Sequence, residues 1–224
     1  MAPIIEVGDS DLKAFDQLGF KYKLRGDLES KSETSQFIRI PSLNIAFETK
    51  RTLLGKNWFE THKELLSQGK SMPTPMEFLE SLKYIKEQNP ELYKEITEIR
   101  SPWRGNWLDA DFKMIDGKLH VNYNHVLDTS GNLIPKNSEI LSEKTLMRDK
   151  IPGISLDDYI LKNHTSQGLP SKEVKSGNLY YWNPRSDNNS VARFGAYSGG
   201  AILGCDRDPS IGDSVRGVFA VKRA

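Results

Sequence analysis

An α+β fold is what this 224-residue sequence predicts, with helices in the front half and mixed or antiparallel strands in the back half. Three observations carry that prediction. Between Asn57 and Ile99, apolar residues recur at helical spacing in three segments, each opened by a capping residue. After Arg100 the apolar period falls to two, and Gly-containing turn dipeptides punctuate the chain. The segment Asn183 to Val221 uses a reduced residue alphabet. It contains no Lys, Glu, Gln, Met, Trp, Thr or His.

The elements follow in order. Phe37–Ile40 and Leu43–Phe47 read as short strands broken by Pro41. Asn57 caps a helix whose apolar positions are Trp58, Phe59, His62, Leu65 and Leu66, with Gly69 as its stop. Thr74-Pro75 opens a second helix, and Glu77 three residues after the Thr gives a capping-box spacing. Its stripe is Met76, Leu79, Leu82 and Ile85. Asn89-Pro90 starts a third, with Leu92, Tyr93, Ile96 and Ile99. Trp103, Trp107 and Phe112 fall in a stretch that reads as loop-rich. Asp116-Gly117 is a hairpin signal between Phe112–Ile115 and Lys118–Tyr123, and Ser130-Gly131 marks another turn. Ser155 starts a short helix with the same capping spacing, and Gly168-Leu169-Pro170 breaks the chain after it. Leu179–Trp182 is an aromatic strand. No internal repeat and no Ser/Gly linker appears, so one domain over 1–224 is expected.

Composition narrows the function classes. The formal net charge of +1 gives no large single-sign field, so nucleic acid is not a favoured partner. No apolar run is long enough for a transmembrane helix, and the first residues lack a basic segment followed by an apolar one. Neither membrane insertion nor a secretory signal is expected. Synthesis in the cytoplasm, with display on a virion or surface, fits the single cysteine, which rules out an internal disulfide. No phosphate-binding glycine motif, HExxH or EF-hand loop is present, so no cofactor is expected. His120 and His125 are five apart, which in a strand puts them on opposite faces and makes them poor co-ligands. His62 reads as a core-edge residue, and no metal site is expected. Asp109/Asp111 and Asp157/Asp158 read as ordinary turn and cap carboxylates. Cys205 reads as a buried, inert thiol. No catalytic residue is assigned.

The reduced alphabet demands its own explanation. Lys, Glu, Gln, Met and Trp fill 48 of the first 182 positions, so roughly ten would be expected among residues 183–221 if usage were uniform. Read in phase, the segment divides into two interleaved sets. Phe194, Ala196 and Ser198, then Ala201, Leu203, Cys205 and Arg207, alternate with Gly195, Tyr197 and Gly199, then Ile202, Gly204, Asp206 and Asp208. The phase resets at Gly199-Gly200, as it does when two strands meet at a tight turn. Phe194, Ala196, Leu203 and Cys205 are then expected to face the core. The outward set has no common chemistry, and three Gly would weaken a merely structural strand face. An irregular Gly-rich loop is the plain alternative. The genetic code favours diversification instead. If Asn codons stood at the outward positions and their adenines were randomised, Gly, Tyr, Ile, Asp, Arg, Val and Ser are reachable. Lys, Glu, Gln, Met and Trp are not.

At these residues the chain resembles the variable proteins of diversity-generating retroelements, above all those of archaea and their viruses. The resemblance is carried by Tyr181-Trp182-Asn183-Pro184, Ser190–Phe194, Ala201, Leu203, Cys205, Arg207, Pro209 and Gly217–Val221. It implies a C-type lectin-like fold of the formylglycine-generating-enzyme-like subclass. It also implies a ligand-binding, non-enzymatic protein whose diversified region, 183–221, meets a protein or surface molecule. The implied binding residues are Gly195, Tyr197, Gly199, Ile202, Gly204, Asp206 and Asp208, joined by Arg185, Asp187, Ile211, Asp213 and Arg216, where the alternation is less clean. Formylglycine-type oxidase chemistry uses paired cysteines, which this chain lacks. A structural virion or surface component is the further alternative.

Overall fold

Two sheets and four helices make up the domain Phe37–Ala224 in a computed structural model that describes residues 36–98, 101–197 and 199–223. The expectation of one domain over 1–224 therefore extends onto residues 1–35, which lie outside the described residues. The α+β prediction holds, with strand exceeding helix.

The front half follows its local signals. Strands β1 (Phe37–Ile40) and β2 (Ile45–Glu48) pair antiparallel. Leu43, expected in β2, sits instead in the turn between them, where Asn44 adopts a φ of 52°. Helix α1 (Trp58–Ser67) starts at a complete capping box. The Asn57 side chain accepts from the Glu60 amide, and Glu60 reaches back to the Asn57 amide. Thr74 and Glu77 build the same box for α2 (Pro75–Gln88), and Asn89 caps α3 (Pro90–Thr97). Each such cap stabilises its helix by about 1 kcal/mol.

The back half is an eight-stranded sheet. Its strands are β3 (Arg104–Ile115), β4 (Lys118–Leu127), β5 (Leu133–Ile140), β6 (Lys150–Ile154), β7 (Leu179–Trp182), β8 (Ser190–Tyr197) and β9 (Gly200–Arg207). Their order is β5-β4-β3-β8-β9-β7-β6, and β10 (Arg216–Gly217) lies parallel to β3. Asp116 and Gly117 both take positive φ, as a type I′ hairpin between β3 and β4 requires. Helix α4 (Leu156–Leu161) is capped by Ser155. The last strand, β11 (Val221–Arg223), pairs with β2, so the first and last described strands share one sheet.

Two sequence expectations needed correction. Residues 104–111 are not loop but the first part of the long central strand β3, with Trp107 and Phe112 buried in it. The alternation there is broken by a bulge between Trp107 and Asp111. In the bulge the Leu108 carbonyl accepts from Trp58 Nε1 at 2.9 Å, and the Asp109 amide donates to the Pro73 carbonyl at 2.9 Å. The ladder is left locally, so a period-two pattern cannot show it. The edge strands β5 and β6 were also not foreseen. β5 is exposed along nearly its whole length and β6 at Ile151 and Pro152, and each contains a proline, tolerated only at a sheet edge.

The main core joins the small sheet, helices α2 and α3, and one face of β8 and β9. Phe47 stacks on Phe219 at 5.7 Å, and Phe78 of α2 meets Phe194 of β8 at 5.1 Å. Each such ring, taken out of water, contributes about 1.5–3 kcal/mol.

Candidate functional site

The segment with the reduced alphabet folds into the hairpin β8–β9, at the centre of the large sheet between β3 and β7. Tyr197 pairs with Gly200, whose φ is +144°, and the irregular-loop alternative is set aside by this regular register. Phe194, Ala196, Leu203 and Cys205 are 0–1 % exposed and face the core, as the phase requires. Cross-strand partners share a face, so the opposite side can be read from the register. One row runs Tyr180, Ile202, Gly195, Gly105, Arg216. The next runs Trp182, Gly204, Arg193, Trp107.

The expected binding residues do not all stand free on that side. Tyr197, Gly199, Asp187 and Ile211 are exposed, with Tyr197 at 49 % and Ile211 at 52 %. Arg185, Asp206, Asp208, Asp213 and Arg216 are half-buried. Gly195, Ile202 and Gly204 are buried. Ile202 lies between the strand partners Tyr180 and Gly195 and is only 6 % exposed. A Cβ at Gly195 would come 2.4 Å from the Arg104 carbonyl oxygen, so the backbone itself demands glycine there. At Gly204 a Cβ would meet only side-chain ends, the nearest being Arg207 Nε at 3.2 Å, and room can be made. Asp187, Asp208 and Asp213 accept from backbone amides two residues on, at 2.9, 2.8 and 3.1 Å, and so shape their turns. Gly199 lies at the hairpin tip, beside a cleft of about 590 Å³ that Lys86, Tyr93 and Asp157 also line.

Beneath these positions lies a floor of Trp and Arg. The Arg193 guanidinium stacks 5.0 Å from the Trp103 ring, and Arg216 lies 5.6 Å from Trp103 and 5.2 Å from Trp107. A register slip between Val191 and Arg193 changes the phase of β9, and Arg207 stacks 5.6 Å over Trp182. Burial, with Arg207 and Arg216 nearby, pulls the Arg193 guanidinium down to about 9. At the margin Arg185 donates to Asp149 at 2.7 Å, and that hydrogen bond holds the guanidinium above its ordinary value. Burial pushes the Cys205 thiol well up.

A second cluster lies away from the hairpin. The β3 bulge turns Asp109 toward His62 of α1 and His125 of β4. His125 Nδ1 donates to Asp109 Oδ1 at 2.5 Å, and the His125 amide donates to Asp109 Oδ2 at 3.2 Å. His62 Nε2 is 3.5 Å from Asp109 Oδ1, and His125 Nε2 is 3.4 Å from Asp111 Oδ1. The Trp58 ring stands edge-on to both imidazoles, at 4.3 and 5.0 Å. Burial drives His62 down to about 4. Burial also opposes charge on His125, but its hydrogen bonds with Asp109 and Asp111 outweigh that and raise it to about 9. The Asp109 carboxyl is pushed up by burial and pulled down further by the two histidines, ending lowered. His62 is thus no core-edge residue. It is fully buried, and neither ring nitrogen has a hydrogen-bond partner. Among the described residues, His62, Asp109 and His125 form a group able to offer ligand atoms within 4.8 Å of one another, where the sequence led us to expect no metal site.

Comparison with known protein families, with curated proteins and with solved structures finds no match to this chain.

Sequence reasoning missed the His–Asp cluster because its members come from three elements, and the bulge that unites them has no local signature. The available signal was a histidine inside the apolar stripe of α1, together with carboxylates interrupting a strand.

Proposed function

We propose that this is a non-enzymatic binding protein whose C-terminal face, drawn from residues 183–221, is diversified by a retroelement to engage varied protein or cell-surface targets. The scaffold on this reading is a C-type lectin-like domain of the formylglycine-generating-enzyme-like subclass. One observation carries the reading: the segment with the reduced alphabet is a two-sided hairpin with a uniform apolar inner face and a chemically mixed outer one. An incidental composition bias would not respect the phase of a strand.

The hairpin suits the task. Its inner residues lock it to Phe78 of α2 and to the main core, and β3 and β7 hold both of its flanks. Outer side chains with room around them, at Tyr197 and Gly204 though not at Gly195, can therefore change while the ladder stays paired. Tyr197 is the natural anchor, because tyrosine supplies large contact area with few rotors to immobilise. The stacked Arg–Trp floor gives its surroundings a rigid, cationic, aromatic base. The structure lends no support to an oxidase built on Cys205, which is fully buried with its thiol held high.

The deciding experiment is sequencing of the neighbouring DNA. A nearby copy of the codons for 183–221, carrying adenines at the outward positions and lying beside a reverse-transcriptase gene, is the expected result. A complete genome with no such copy would overturn the proposal.

A further inference from the structure

We infer that His62, His125 and Asp109 form a site for one divalent transition-metal ion, zinc being the best fit, that ties α1 to the centre of the large sheet, with Asp111 at the other ring nitrogen of His125. This is independent of what the hairpin binds.

Four observations converge. The donors are of the right kind. Imidazole nitrogens and carboxylate oxygens suit zinc, and cobalt or nickel as its substitutes, whereas calcium and magnesium prefer all-oxygen shells. The charge balances, since two neutral imidazoles and two carboxylates carry −2 and a divalent ion cancels it. The spacing is close to what an ion needs. The His62 Nε2 to Asp109 Oδ1 separation of 3.5 Å matches the roughly 3.4 Å edge of a tetrahedron with bonds of about 2.0–2.1 Å. Asp111 Oδ1 lies 3.4 Å from His125 Nε2, the nitrogen turned away from Asp109, and so orients that imidazole rather than bonding the ion.

The fourth observation is the strongest. His62 is 0 % exposed, and neither of its ring nitrogens has a hydrogen-bond partner, Nε2 lying 3.5 Å from Asp109 Oδ1. Leaving a buried polar group unpaired is costly, and native cores avoid it. An ion on His62 Nε2 removes that cost at one of the two nitrogens. Where the ion enters, it takes the place of the proton between His125 and Asp109, and that short edge opens by less than about 1 Å to ligand spacing. The bulge in β3 is then explained as well. It is what carries Asp109 out of the ladder to face both histidines.

The site is closed, which separates a structural ion from a catalytic one. His62 and Asp109 are fully buried, and Trp58 covers both imidazoles. Catalytic zinc sites keep a position open to water. A cleft of about 520 Å³ on the β4 side is lined by His125, Asn124, Asn137, Glu77 and Arg223, but not by His62 or Asp109.

The test uses the full chain, stripped with chelator, then titrated with Zn²⁺ or Co²⁺ alone. About one equivalent per chain is expected to survive gel filtration. The Co²⁺ form should show the visible d–d bands of a tetrahedral nitrogen–oxygen site, and Zn²⁺ at about 100-fold over Kd should raise Tm by roughly 5–10 °C. His62→Leu should abolish the bands and the Zn²⁺ response, while its metal-free Tm equals or exceeds that of the stripped parent. His120→Ala, outside the cluster, should bind normally. The inference is overturned if the parent chain takes up no ion, or if His62→Leu keeps its stoichiometry and its Tm response. Should that variant fail to fold, Asp109→Asn is read in the same way, with weakened binding supporting the site and unchanged binding and spectrum overturning it.

Discussion

The inner and outer faces of the β8–β9 hairpin are made from the same sixteen strand residues, yet they obey different rules. On the inner face, Phe194, Ala196, Leu203 and Cys205 are sealed and uniformly apolar. On the outer face, glycine, tyrosine, isoleucine and aspartate stand over stacked Arg193, Arg207 and Arg216. On the proposed function, stability and recognition are written on alternate residues of one strand, because the pleat sends neighbours to opposite sides. The outer face is not uniformly free, however. Gly195 belongs to the outer row by phase and to the inner row by constraint.

The comparison can be strained at several points. Phe194→Ala removes a ring packed against Phe78 and should cost about 3–5 kcal/mol, measured by urea unfolding. A loss below about 1 kcal/mol would mean the inner face is not what holds the hairpin. Gly195→Ala drives a methyl into the Arg104 carbonyl and should cost about 1–3 kcal/mol, whereas Gly204→Ala should stay within about ±1 kcal/mol. Equal tolerance at the two positions would erase the distinction drawn between them. Tyr197→Ala should change stability by no more than about 0.5 kcal/mol, yet weaken binding of a selected target at least about tenfold. A large fall in Tm would make Tyr197 part of the scaffold instead. Cys205 should not react with Ellman's reagent at pH 8 in the folded protein and should react fully in denaturant. Native reactivity would show the inner face opening to solvent.

Much of this was legible in the residues. The caps at Asn57, Thr74, Asn89 and Ser155 act within three residues, and each was readable because its physics is local. The inner face of the hairpin was readable because a regular strand carries its burial in its phase. The remainder failed for two reasons. The first part of β3 was hidden by a bulge, by the buried polar residue Asn106, and by Asp109, which partners distant in sequence keep in a buried strand. The outer row was misjudged where neighbouring strands intervene. Nothing in the sequence near Gly195 discloses the Arg104 carbonyl beside it, and nothing near Asp187, Asp208 or Asp213 separates a turn anchor from a contact residue. The His62 environment was misread for the same reason, because its neighbours arrive from β3 and β4.

The position of the hairpin within the sheet has a further consequence, for solubility. In the large sheet the outermost strands are β5 and β6, at the two ends of the order. Both lie outside 183–221, and β5 carries Pro135 and Lys136, residues that discourage another chain from adding to that side. However the outer side chains of β8 and β9 are rewritten, no new open edge is created. A population of sequence variants built on this hairpin would share one resistance to strand-by-strand aggregation, set by parts of the chain that do not change.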